Sequence, residues 1–162
     1  MTPTLRPARP SDLAAVLDVF LACWRTAYRG VLPQQTLDAM TDEAAAALWA
    51  EALRDAGSEV LVADLAGTLV GVVRWTLADG TVQSLYVDPR HQGQGTGAAL
   101  LAAATGSFAQ HGLPQARLWV FEANAAARRF YEHQGWVADG TTRVEERFGA
   151  PEVRLERPLG GP

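Results

Sequence analysis

The chain has 162 residues, 48% hydrophobic and 20% charged, with a formal charge of −4 at neutral pH. This balance excludes a disordered, fibrous or repetitive chain and predicts one globular domain over residues 1–162. Fourteen basic against eighteen acidic residues form no basic stripe, so no nucleic-acid partner is expected.

In chain order, Met1 to Pro7 lacks the apolar stretch of a signal peptide, and nowhere do about 18 apolar residues run together. No membrane contact and a cytoplasmic location are therefore expected. Leu5 to Pro10 is a short extended piece. Ser11 or Asp12 is placed to cap a helix carrying Leu13, Val16, Leu17, Phe20 and Leu21 at helical spacing. Cys23, the lone cysteine, has no partner for a disulfide within the chain, and no Cys/His cluster has the spacing of a metal site. Gly30 and Pro33 break the pattern, and Gln34 to Met40 and Asp42 to Ala56 read as two further helices.

Residues 59–65 and 69–78 are rich in Val and Leu and flank Ala66-Gly67-Thr68, which predicts an antiparallel hairpin. A third strand, Thr81 to Val87, follows Asp79-Gly80 and stops at Asp88-Pro89. Gly95 to Gln110 then reads as a helix, Arg117 to Phe121 as a strand, and Asn124 to Gln134 as a helix closed by Gly135. Residues 136–157 form a last strand pair turning near Gly149-Ala150-Pro151. This order predicts an α/β (α+β mixed) fold, with one mixed sheet and helices on both faces.

The stretch from Leu85 to Leu101 carries the chemistry. A strand ends, a loop with Gly93, Gly95 and Gly97 comes next, and a helix begins. Glycines let a backbone turn tightly and lie close to a ligand, and the free amides of a helix's first turn attract an anion. The run is G-x-G-x-G with no lysine after it, so neither the dinucleotide fingerprint G-x-G-x-x-G nor the nucleotide loop G-x-x-x-x-G-K-[ST] is present. A flexible glycine-rich turn is the bland alternative.

Gln92-Gly93-Gln94-Gly95-Thr96-Gly97 resembles the Q/R-x-x-G-x-G/A signature of the GCN5-related N-acetyltransferase (GNAT) superfamily. About thirty residues on, the run from Leu118 through Asn124 and Tyr131 to Gly135-Trp136 resembles that family's second motif, an Asn opening a helix with an aromatic pair before a Gly-aromatic stop. The resemblance implies a mostly antiparallel sheet of six or seven strands and the use of acetyl-CoA, with no metal. Its pyrophosphate would lie on residues 92–97, and its pantetheine arm against unpaired backbone of Leu85, Tyr86 and Val87.

The resemblance also implies an N-acetyltransferase in which Tyr131 is the general acid for the departing CoA thiolate. Helix geometry adds an independent point: Asn124 and Tyr131 are nearly two turns apart and project from one face, where both could touch one ligand and Asn124 could contact the cofactor. Asn124 is equally a preferred N-cap, and Tyr131 equally a core neighbour of Phe130.

Acetyl transfer needs a neutral amine, and a lysine-type amine of pKa about 10.4 is neutral only about once in 2,500 molecules at pH 7, a deficit of roughly 4.6 kcal/mol. Many family members place a carboxylate on the strand before the loop, where this chain has Thr81 and Gln83, or in the later strand, where it has Trp119. Glu122 is the best-placed remaining carboxylate; His91 reads as a residue beside the phosphate loop, and a water relay is the other route. Trp24 and Tyr28, four apart on one helix face, are candidates to wall an amine acceptor site, or are simply core aromatics. The absent carboxylate also motivates a non-catalytic acyl-CoA sensor as the alternative function. Edge strands near the C-terminus are the candidate contact for a homodimer.

Overall fold

The computed structural model describes residues 1–160. The strands are β1 (Thr4–Pro7), β2 (Ser58–Leu65), β3 (Thr68–Thr76), β4 (Thr81–Val87), β5 (Gln115–Phe121), β6 (Val137–Val144) and β7 (Pro151–Pro158). The helices are α1 (Leu13–Ala27), α2 (Gln34–Ala39), α3 (Asp42–Arg54), α4 (Thr96–Gln110) and α5 (Ala125–His133). The strands form one seven-stranded sheet in the order β1-β2-β3-β4-β5-β7-β6, antiparallel throughout except where β4 meets β5.

The hairpins explain the regular part. Ala66 and Gly67 connect β2 to β3 with φ of 52° and 91°, the two left-handed residues that match the twist of the flanking strands. β3 ends at Thr76, two residues before the predicted end, because Asp79 folds the next residues into a turn: its carboxylate accepts from the Thr76 hydroxyl and the Thr81 amide. Neither Ser11 nor Asp12 caps α1 through its side chain. Asp12 instead accepts from the Arg9 amide at 2.7 Å and from both terminal nitrogens of Arg6 at 2.9 and 3.0 Å, and Arg6 holds its carboxyl below the usual range.

Each face of the sheet carries its own core. On one side α1, α2 and α3 bury Val16, Phe20, Trp24, Leu37 and Trp49 against Val62 and Val72. On the other, α4 buries Leu100, Leu101, Ala104 and Phe108 against Val70, Val73, Val82 and Leu118, together with Trp136. Gly71 sits where α4 crosses β3; a Cβ there would meet Leu100 Cδ1 at 2.8 Å and Thr96 Cγ2 at 3.3 Å. The bare backbone lets the helix start settle directly on the sheet.

The sheet is interrupted at the β4–β5 junction. Only Thr81 pairs with Arg117 and Val82 with Leu118; beyond Val82 the strands separate. β5 turns to β7 on its other edge and pairs with it along its whole length, so a cleft opens between β4 and β5.

Candidate active site

The cleft is the mouth of a cavity of about 750 Å³ that reaches both faces of the sheet. Val87 marks its edge. The Asp88 amide donates to Val70 O, and Val72 lies opposite Tyr86, so the backbone groups of Tyr86 are turned to β3. By the alternation of a strand, those of Leu85 and Val87 face the gap left by β5. Val87 O accepts from Cys23 Sγ and from Gln92 Nε2, both at 3.0 Å. Tyr86 thus enters the cavity through its side chain rather than its backbone.

The glycine loop closes one end. Asp88, 5% exposed, accepts from the Arg90 amide at 2.9 Å and pairs with the Arg90 guanidinium, which holds its carboxyl below the ordinary range. That clamp fixes the short 3₁₀ turn Pro89–His91 from which the loop departs. Gly93 and Gly95 have φ of 75° and 87°, and nothing lies within 4 Å of where their Cβ atoms would stand. The open space flanks the start of α4, where no side chain caps the helix and the first bond runs from Ala99 N–H to Gly95 O. The amides of Thr96, Gly97 and Ala98 precede it, a set suited to an anion. Gly97 has a different reason: the ring of Phe130 stands 3.4 Å from its Cβ position. Gln92, Gly93, Gly95, Thr96 and Gly97 line the cavity; Gln94 is exposed and outside the lining.

The second motif faces the same space. Asn124 caps α5, its side chain accepting from Ala127 N–H at 3.2 Å, and also lines the cavity, so it serves as a cap and remains within reach of a ligand. Tyr131 lines it too, packed against Phe130 and Trp136 with ring centroids 5.3 and 6.2 Å away. Burial, then the nearby Tyr28, push the Tyr131 phenol well above its ordinary value.

Glu122 does not join them. Its side chain is exposed and outside the lining, while its backbone amide bonds Pro151 O and its carbonyl accepts from Arg128. β5 has ended by then, and the chain is turning outward into α5. Of the two carboxylates in the lining, Glu145 and Glu152, the buried one is Glu152 on β7, 5% exposed, opposite Phe121 and 3.1 Å from Arg143 Nε. Burial raises its pKa despite Arg143. Its sequence setting hides it, because Glu152-Val153-Arg154-Leu155-Glu156 alternates like a strand with one solvated face. His91 lies at the loop end, 3.9 Å from Asp88.

The far end is aromatic. Trp24 and Tyr28 are both core and lining: Trp24, 3% exposed, packs on Phe20, and Tyr28 stands against Phe121. All three tyrosines of the chain, Tyr28, Tyr86 and Tyr131, face the cavity. Burial raises each, Tyr86 to about 12, and Tyr28 also feels Tyr86 and Glu152. Among the described residues, no group of three or more His, Cys, Asp or Glu is placed to hold a metal ion, and no helix is long and apolar enough to cross a membrane.

A family model described as "Acetyltransferase (GNAT) domain" matches residues 28–154. Mycothiol acetyltransferase of Thermobispora bispora is 42% identical over 91 residues, which are 48% of this chain but only 30% of that protein. The uncharacterized N-acetyltransferase YuaI of Bacillus subtilis is 29% identical across 98% of this chain and 92% of its own length. The PaiA N-acetyltransferase of Thermoplasma acidophilum, solved in complex with coenzyme A, shares the fold with a TM-score of 0.80 at 19% identity, covering 98% of this chain and 100% of that one. With the splayed strands, the glycine loop and the Asn-to-Tyr helix all opening on one cavity, and the family model spanning most of the sequence, the chain belongs to the GNAT family of acetyltransferases.

Proposed function

We propose that the protein transfers an acetyl group from acetyl-CoA to a primary amine, with Tyr131 protonating the CoA thiolate as it leaves. The observation that carries this reading is the convergence of the unpaired β4 edge, the bare amides of residues 92–97 and the Tyr131 phenol on one cavity. The coenzyme A bound to the related PaiA fold supports the choice of co-substrate.

The pyrophosphate sits on the loop and the first turn of α4, where several backbone hydrogen bonds add to a macrodipole effect of about 0.3–1 kcal/mol. The pantetheine arm runs along the cleft-facing backbone of Leu85 and Val87, while the Asn124 side chain borders the arm from α5. The amine nitrogen attacks the thioester carbon, the C–S bond breaks as the C–N bond forms, the sulfur takes the Tyr131 proton, and the proton lost by the nitrogen passes to water, from which the Tyr131 phenolate is reprotonated. Positioning supplies much of the acceleration. A Tyr held protonated by its buried setting is a donor at any neutral pH.

The test is Tyr131→Phe. The ring and its packing stay, so calorimetry should register unchanged CoA binding while thiol release falls by about 10²–10⁴. Tight CoA binding by the native chain with no thiol release from any amine would instead favour a non-catalytic acyl-CoA sensor.

A further inference from the structure

Resting on that reading, the geometry points to an acceptor site that takes a primary amine carried on a flat, apolar, arene-like skeleton, with Glu152 receiving the amine's proton. Four rings form a closed circuit at the end of the cavity away from the loop. Trp24 to Tyr28 is 5.0 Å between centroids, Tyr28 to Phe121 5.6 Å, Phe121 to Phe148 5.5 Å, and Phe148 back to Trp24 5.8 Å. Phe20 extends the circuit from Trp24 at 5.7 Å and brings in Tyr86 at 5.0 Å. These rings come from α1 and its end, β4, β5 and the turn before β7, four separate parts of the chain, and all line the cavity.

Glu152 is the buried carboxylate among them, one strand over from Phe121. The lining's arginines are already paired with carboxylates. Arg143 pairs with Glu152 and Glu145, Arg147 with Glu145 while its guanidinium lies 4.5 Å over Phe148, and Arg74 with Asp55. Both oxygens of Glu145 are held by arginines, whereas Glu152 gives Oε1 to Arg143 and keeps Oε2 for an ammonium, so an acceptor's own carboxylate finds no uncommitted arginine in this lining and a polyamine's further ammonium groups find no second open carboxylate. A sugar's hydroxyls would face rings that offer few hydrogen bonds, at a desolvation penalty. A single ammonium on an arene fits both parts: the ring stacks, and the cationic head is drawn to the aromatic faces and to Glu152. There it loses a proton to the carboxylate, and the neutral nitrogen attacks the thioester. Tyr28 lines the same cavity, and its hydroxyl feels both Tyr86 and Glu152.

The experiment measures thiol release from saturating acetyl-CoA by the full chain with phenethylamine, tryptamine, spermidine, glucosamine and a short peptide bearing a free α-amine. The arylalkyl amines should lead in kcat/KM by about 10- to 100-fold, the scale of burying one aromatic ring. Phe148→Ala, in a half-buried turn residue that leaves the sheet intact, should raise KM for phenethylamine about tenfold while KM for acetyl-CoA holds. Glu152→Gln keeps the volume and should lower kcat and remove the ascending limb of its pH profile above the ordinary carboxylate range. Thiol release with spermidine, glucosamine or the peptide equal to or better than the aryl amines overturns the inference and leaves the acetyltransferase reading standing. If no amine supports release, calorimetric titration of phenethylamine and spermidine into the CoA-loaded chain decides: tighter binding of phenethylamine supports the aromatic site, and equal or tighter spermidine overturns it. Failure of CoA itself to bind overturns both.

Discussion

Tyr131 illustrates how a residue's setting fixes the direction of its chemistry. Its phenol is raised by burial, and a general acid works only while protonated, so a raised pKa extends the active range upward. The descending limb of kcat against pH should therefore lie above about pH 10, the ordinary phenol value. A limb falling near neutral pH would assign the acid to another group. Cys23, also in the lining, has the opposite prospect: burial lifts its thiol to about 11, and its Sγ donates to Val87 O, so it stays a packed thiol rather than a nucleophile. The Asn124 cap uses only its carbonyl oxygen, so the amide nitrogen of this cavity-lining residue is not spent on the helix.

At the scale of elements, two positions with left-handed φ predict opposite responses. Gly95 begins α4 at a φ of 87° and Ala66 turns the β2–β3 hairpin at 52°. A Cβ at a left-handed position costs about 1–2 kcal/mol, so Gly95→Ala should lower stability by roughly that much and weaken CoA binding by tilting the loop amides. Ala66 already bears that strain in an exposed hairpin outside the cavity lining. Ala66→Asn, a residue that tolerates this conformation, should raise stability by about 0.5–1 kcal/mol and leave CoA binding alone. Urea unfolding and calorimetry on both variants check the pair; equal signs would mean that φ is not the deciding quantity. The same economy of contact explains Gly71, where a side chain would collide with Leu100 and lift α4 off β3.

For the whole molecule, the cleft interrupts the sheet at its middle, since β4 and β5 share only two paired positions. A ligand lying along that gap ties the β1–β4 half to the β5–β7 half. Coenzyme A at about one hundred times its Kd should stabilise the chain by about 2.7 kcal/mol, a rise in Tm of roughly 5–10 °C for a chain of this size. Differential scanning calorimetry with and without CoA reads this directly. A rise with CoA and none with ATP would also separate the cleft from a general phosphate site.

What could be read from residues alone was what depends on neighbours along the chain. Turn glycines, the strand-loop-helix around Gly93 to Gly97 and the helix face shared by Asn124 and Tyr131 are each set by bonds and dihedrals within a few positions, so the α/β order and the elements that line the glycine-loop end of the cavity were legible. The aromatic end was not. Glu122, beside a motif, proved exposed, whereas Glu152, on the polar side of an ordinary alternating strand, proved buried. Burial is decided by what covers a face, and Glu152 shares its cavity wall with Tyr28 and Phe148, which arrive from the end of α1 and from the last turn. No local pattern records the meeting of Tyr28 and Glu152, residues more than a hundred positions apart; only the folded sheet, with α1 laid across it, determines which carboxylate is buried in the cavity wall.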